Sequence, residues 1–313
     1  APMAARIVTN LELDFAAYMM KNSSLRYGTH GTAVTTWSHV AGAGATMDSI
    51  GISPSDEKYY LMNPFTVASL ASAQSGLSSA DSLVRTAWEN AQISTNFGGM
   101  RALSATTLAS FTSGTGADRV GTLSAAPDAT YLTAKDTMTQ SIAVTAFQAS
   151  MVVKAGDMIT IANVNRLNLN TRTAMVSASG TNVAWTGVVT ADVTLGASGE
   201  GTLVVAGAAI FEATGQYNTV TAAPANGAVV TILSATATLY QPNLFYNKQA
   251  FGLGTVKLPK LYSTDTVATT SDGMSLRISK YSDGNANTQK LRVDLLPAYC
   301  VFNPFFSGQG FGV

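Results

Sequence analysis

Apolar residues recur along the first part of the chain at helical spacing. In residues 7–22, IVTNLELDFAAYMMKN, Val8, Leu11, Phe15, Tyr18 and Met19 fall three or four apart while Glu12 and Asp14 lie off the stripe, which predicts an amphipathic helix. Residues 33–50 predict a second helix, weakened by Gly-Ala-Gly-Ala at 42–45. YYLMNPF at 59–65 predicts a short buried strand. Asn63 then stands at a natural N-cap, and Pro64 at the first helical position, where its missing N–H costs nothing. A further helix fits 80–91, and after Phe97-Gly98-Gly99 the pattern turns to Thr/Ser/Ala-rich strands.

From about 136 to 240 the periodicity is that of strands. MVVKAGDMITIANV, TAMVSASG, VAWTGVVTADVTL, GTLVVAGAAIF and GAVVTILSATATLY are alternating or β-branched runs separated by Gly, Asn and Pro turns, and such regular spacing predicts a small barrel or sandwich. The turn-rich stretch 113–136 ahead of it reads as a connector. Past Tyr240, MSLRISKYS (274–282) and QKLRVDLLPAYCVFNPFF (289–306) predict longer strands joined at DGNAN, a hairpin signal, and KLRVDLL reads as half-buried. A helix-rich start (1–135) and a strand-rich end (241–313) thus bracket the β block (136–240), as an insertion into one parent domain would.

At 313 residues the chain is long enough for two such units. Charged residues are only 12% of it, about half the usual share. Surface so poor in charge tends to be covered by other protein. Eighteen basic residues balance eighteen acidic ones, so no global field draws the chain to nucleic acid or to an anionic membrane. The single cysteine, Cys300, excludes an intramolecular disulfide and reads as a small buried hydrophobe. The longest apolar runs, such as 202–211, fall far short of the ~20 residues that span a bilayer, so no membrane role is expected. The chain opens at Ala1, without an initiator Met, almost directly on its first helix, which suggests processing or truncation upstream.

Reactive chemistry is sparse. His30 and His39 have no Cys or carboxylate cluster at metal-ligand spacing and read as turn or helix-surface residues. No Gly-x-Ser-x-Gly elbow is present, and GASGEG at 196–201 lacks the Lys-Ser/Thr of a phosphate loop and reads as a hairpin turn. Asp157, Asp192 and Glu200 could serve as glycosidase carboxylates, although isolated acids beside glycines more often shape turns. Asn-Pro-Phe occurs at 63–65 and 303–305 and reads as a turn or helix start rather than an adaptor motif; Asn22-Ser23-Ser24 is a glycosylation sequon only in a secreted protein. Neither an enzyme nor a cofactor is expected.

Three stretches carry a family resemblance: YYLMNPFTVASLA (59–71), VVKAGDMITIANV (152–164) with its Lys-x-Gly-Asp entry into a strand, and NLFYNKQAFGLGTVKLPKL (243–261) followed by MSLRISKYSDGNANTQKLRVDLL. Read in order they resemble the major capsid proteins of tailed bacteriophages, specifically the inserted-domain coat proteins of short-tailed phages. The resemblance covers most of residues 10–300. It implies an α+β fold of the Hong Kong 97 type with an inserted small β-barrel domain. It also implies self-assembly into pentamers and hexamers of an icosahedral shell around double-stranded DNA, built in the host cytoplasm and bound without sequence readout.

Scaffolding, portal and decoration proteins are the partners such a subunit implies. By the same resemblance, the helix at 7–22 with Phe15 lies along the peripheral belt, and Asn63 and Pro64 make the strand-to-helix step. Lys154 and Asp157 stand at the base of the inserted domain, and Phe245, Tyr246, Phe251 and Lys257 lead the chain back into the capsomer domain. Family members carry an arm, an extended loop and the start of a long helix ahead of LELDFAAYMMKN, so either an upstream segment was removed or omitted, or the match over the first 50 residues is displaced. The rival readings are a β-rich decoration or surface adhesion protein, the latter calling for an export signal, and a carbohydrate-active enzyme, which turnover on polysaccharides would expose.

Overall fold

The computed structural model describes residues 2–74, 89–270 and 273–313. The helix expected at 80–91 lies almost wholly outside them. The first amphipathic stripe forms the helix Pro2–Lys21, and the Gly-interrupted one forms Trp37–Ile50. Val40, Ala43, Met47 and Ile50 of the second helix are buried at spacings of three and four. Its glycines serve packing: a Cβ on Gly42 would stand 2.0 Å from Cζ of Tyr27, so this position must be bare for the ring to lie against the helix. The helix Pro64–Gln74 begins where Asn63 and Pro64 predict.

A six-stranded sheet is assembled from both ends of the chain, in the order Leu25–Tyr27, Ser307–Gly310, Asn243–Asn247, Lys58–Met62, Met100–Ser104, Asn96–Phe97. The first two strands pair in parallel, Leu25 opposite Gly308, while Asn243–Asn247 runs antiparallel to both of its neighbours. Tyr60, Met62 and Phe245 are fully buried and pack in one cluster with the inner face of Trp37–Ile50. The first helix packs Ala16, Met19 and Met20 with Phe111, Tyr240, Leu244 and Phe311.

Between the two halves of this sheet the chain forms a closed antiparallel barrel of Ala184–Val189, Gly201–Ala206, Thr139–Thr145, Val120–Leu123, Val229–Ile232 and Met158–Asn165, in that order. Each strand is hydrogen-bonded to two others, so the barrel has no free edge. The period of two puts Ile142, Val144, Ile159, Ile161, Leu203, Val205 and Val230 inside around Trp185.

Several local readings need correction. Val120–Leu123 is a barrel strand inside the stretch read as a connector, ahead of residue 136; it is short and flanked by turns, and its register with Val229–Thr231 and with Val144–Thr145 defines it. TAMVSASG makes isolated bridges, Leu167 with Ala174 and Val176 with Asn182, rather than a ladder. Cys300 is exposed: in the two-stranded ladder of Phe251–Thr255 with Pro297–Val301, Tyr299 turns toward Phe15 and Tyr18 of the first helix, so the next side chain points out. In the hairpin Ser275–Asp283 with Thr288–Asp294, Leu291 lies opposite Lys280 and is 54% exposed, so this part of the strand is not half-buried. His30 occupies a turn, as expected, yet its ring is packed 4.4 Å from that of Phe311 and both of its nitrogens are buried without partners.

Candidate functional site: the barrel base and its junction with the sheet

The chain enters the barrel at Ser113–Arg119 and leaves it at Ser234–Tyr240, and these two segments meet at one buried carboxylate. Asp157 is fully buried in the turn Lys154–Asp157 that opens the strand Met158–Asn165. Its Oδ2 accepts the amides of Lys154 at 2.9 Å and Gly114 at 3.2 Å. Its Oδ1 accepts from Arg119 Nη2 at 3.1 Å and from the Ser234 hydroxyl. Arg119, also buried, donates from Nη1 to the Gly114 carbonyl at 3.0 Å and from Nη2 to Ser234 Oγ at 2.9 Å. Entry, exit and the Lys154–Asp157 turn are therefore tied to one buried charge pair in which both carboxylate oxygens accept hydrogen bonds and only Nε of Arg119 goes without one. Beside it the Ser113 hydroxyl donates to the Ala235 carbonyl at 2.5 Å, and the Thr238 amide donates to Ser113 Oγ at 2.9 Å.

Lys154, in the same turn, points outward, and its ammonium meets Asp192 at 2.6 Å, with both side chains about half exposed (43% and 54%). The Ala155 N–H and then Lys154 hold the Asp192 carboxyl below its ordinary pKa. Glu200 accepts the Ser198 amide at 2.7 Å in the turn that links Val193–Thr194 to Gly201–Ala206. Each acid that could have served hydrolysis is thus committed to a turn or an ion pair.

A second polar cluster joins barrel to sheet, and the sequence reading did not single it out. Arg166, 1% exposed, donates from Nη2 to the carbonyls of Ser24 and Thr186, each at 2.6 Å. The Thr186 hydroxyl donates to the same Ser24 carbonyl at 2.7 Å. Burial lowers the Arg166 pKa to about 9. The side-chain amides of Asn168 and Asn170 reach the carbonyls of Ser49 and Gly51, at 2.9 and 2.7 Å, at the end of the helix Trp37–Ile50. A sequence signal did exist for the asparagines, which crowd NVNRLNLN, but Arg166 has no acid nearby to announce a pair.

The remaining candidates are dispersed. Asn63 accepts the Thr66 amide at 2.7 Å as an N-cap, and Asn303 accepts that of Phe305 at 3.0 Å, so both Asn-Pro-Phe motifs start helical turns. The stretch 241–261 is split. Phe245 is buried in the six-stranded sheet, Tyr246 stacks on Tyr59 at 5.5 Å, Phe251 packs half-buried near the first helix, and Lys257 is exposed beyond it. Phe15 lies 5.4 Å from the Tyr299 ring.

A family model described as P22 coat protein, gene protein 5, matches residues 1–312. A protein named major capsid protein, from Acyrthosiphon pisum secondary endosymbiont phage 1, is 42% identical over 315 residues, an alignment that takes in the whole of this chain and 74% of the relative. A barrel closed on itself, set between the two halves of one sheet and tied there by buried polar clusters, is thus the architecture of a chain that belongs to the P22 coat protein family.

Proposed function

We infer that the chain is a shell-forming subunit of a phage head, a structural protein rather than an enzyme. The family match over residues 1–312 carries this reading. Low charge and exposed apolar side chains such as Phe65, Leu132 and Phe302, 86%, 72% and 66% exposed, suit a molecule whose surface is covered by copies of itself. Closed shells arise from heterologous contacts that close into rings, and their stability is the sum of many modest contacts per subunit.

The finer proposal is a Hong Kong 97 type shell subunit. In it the residues ahead of Val120, rather than the whole of 1–135, form the parent fold together with 241–313, around an inserted barrel whose strands run from Val120 to Ile232. Support comes from the sheet itself, in which Asn243–Asn247, just after the barrel, lies between Lys58–Met62 and Ser307–Gly310. Phe15, Asn63, Pro64, Phe245, Tyr246, Phe251 and Lys257 are proposed to shape the parent fold, and Lys154 and Asp157 the base of the barrel. Scaffolding, portal and decoration proteins, DNA held without sequence readout, and assembly in the host cytoplasm before residence in the virion complete the proposal. A particle reconstruction tests it: the six-stranded sheet should ring five- and sixfold positions with the barrel projecting from it, and a sheet remote from those axes would refute the assignment.

A further inference from the structure

The junction between barrel and sheet holds a buried cation, Arg166, that meets no counter-charge among the described residues. Arg166 sits at 1% exposure, its Nη1 makes no hydrogen bond, and among the described residues no carboxylate pairs with it. Every acceptor it uses is a carbonyl or a hydroxyl, and they come from two units: Thr186 from the barrel strand Ala184–Val189, and Ser24 from the turn that follows the first helix.

Ser24 is fixed on its other side by the far end of the chain. Its N–H donates to the Ser307 carbonyl at 3.2 Å and its hydroxyl to the Pro304 carbonyl at 2.9 Å. Across from it lies Gly207, at φ +87°, where a Cβ would stand 2.3 Å from Ser24 Cβ, and the Gly207 carbonyl takes the Trp185 indole N–H at 2.9 Å. Met175 is buried with Ile50 and Met47 in the sheet's own core, which supplies adhesion without direction.

A guanidinium out of water is costly unless its donors are met. Here one of the three acceptors, the Ser24 carbonyl, is present only when the barrel is docked and the last strand is in place to hold Ser24. Undocking would return the charge to water and leave the barrel intact, because the barrel's ladder is closed and its base is held separately by Asp157 and Arg119.

We propose that Arg166 is a conditional latch, which holds the barrel on the sheet only while the Ser24 carbonyl is in register and lets the folded barrel release and re-dock as a unit when it is not. The charge makes docking specific rather than strong. A neutral side chain of similar length should therefore dock at least as well, whereas a cation that cannot reach both carbonyls at once should not.

Hydrogen exchange by mass spectrometry on the full chain tests this with Arg166→Lys and Arg166→Met. For Arg166→Lys, exchange in peptides covering 22–27 and 165–170 should rise by roughly tenfold or more, the loss expected for a charged hydrogen bond, while Thr139–Thr145 and Gly201–Ala206 keep wild-type protection. Arg166→Met should stay as protected as the parent. If Arg166→Lys does not accumulate as folded protein, Thr186→Val, which removes the hydroxyl bonded to the Ser24 carbonyl, provides the same comparison. Equal junction protection in the Lys and Met variants, or barrel strands that lose protection together with the junction, would overturn the latch.

Discussion

Asp157 and Lys154 stand in one turn and both make ion pairs, but they carry different weight. Asp157 is buried and completes the only charge opposite Arg119 among the described pairs, so Asp157→Asn leaves a buried guanidinium uncompensated. It should destabilise the chain by about 3–5 kcal/mol in urea unfolding. Lys154 is exposed, and Lys154→Ala should cost about 0–1 kcal/mol by the same measurement. The motif that drew attention to both was legible; their different burial was not, because Arg119 and Ser234 reach Asp157 from 38 and 77 residues away. Arg166 was harder still to see, since its Ser24 partner lies 142 residues off.

His30 adds a pH dependence at the same scale. Burial against Phe311 and Tyr240, with Arg26 nearby, drives its pKa from 6.5 down to about 3. A folded-state pKa below the unfolded one means that the unfolded chain binds the proton more readily. The contribution of neutral His30 is therefore fully present above pH 6.5 and is lost as pH falls from there toward 3. His30→Phe should flatten that acid limb, seen as a smaller drop in urea midpoint between pH 7 and pH 4, and an unchanged drop would contradict this placement of the ring.

At the scale of elements, start signals were read well and coverage was not. Asn63 and Pro64 announced a helix start, and the Asn63 cap has both a backbone partner in Thr66 and a side-chain partner in Gln241, at 2.9 Å. Asn63→Ala should lower stability by about 1 kcal/mol, readable in the same unfolding curves. The strand Ser275–Asp283 shows where the pattern misleads. Ser275, Arg277 and Ser279 are the buried positions, under a loop whose Pro259 carbonyl accepts from Arg277 at 2.8 Å. Leu276 and Ile278 instead line an apolar groove with Ile7, Val8 and Leu11 of the first helix. Alternation gives the period of a strand but not which face a distant loop will cover.

Phe251 belongs here too: it packs half-buried with Ala16, Met19 and Tyr240 where the two-stranded ladder meets the first helix. Phe251→Asp should abolish particles in gradient sedimentation, and particles of normal size from that variant would contradict the assigned position.

Across the whole molecule, we propose that one parent domain is interrupted by an insertion; the β block itself was legible because composition and period change together near residues 136 and 240. The barrel's true first strand was not, because four residues, Val120–Leu123, are too few for a periodic signal. What the ensemble of folds and clusters builds is a subunit with little use for catalysis and much for contact. Electron microscopy with light scattering on the purified chain, alone and joined to any upstream sequence of its gene, tests that most directly. Shells, tubes or subunit rings are the expected result; a monodisperse monomer under every condition would contradict it.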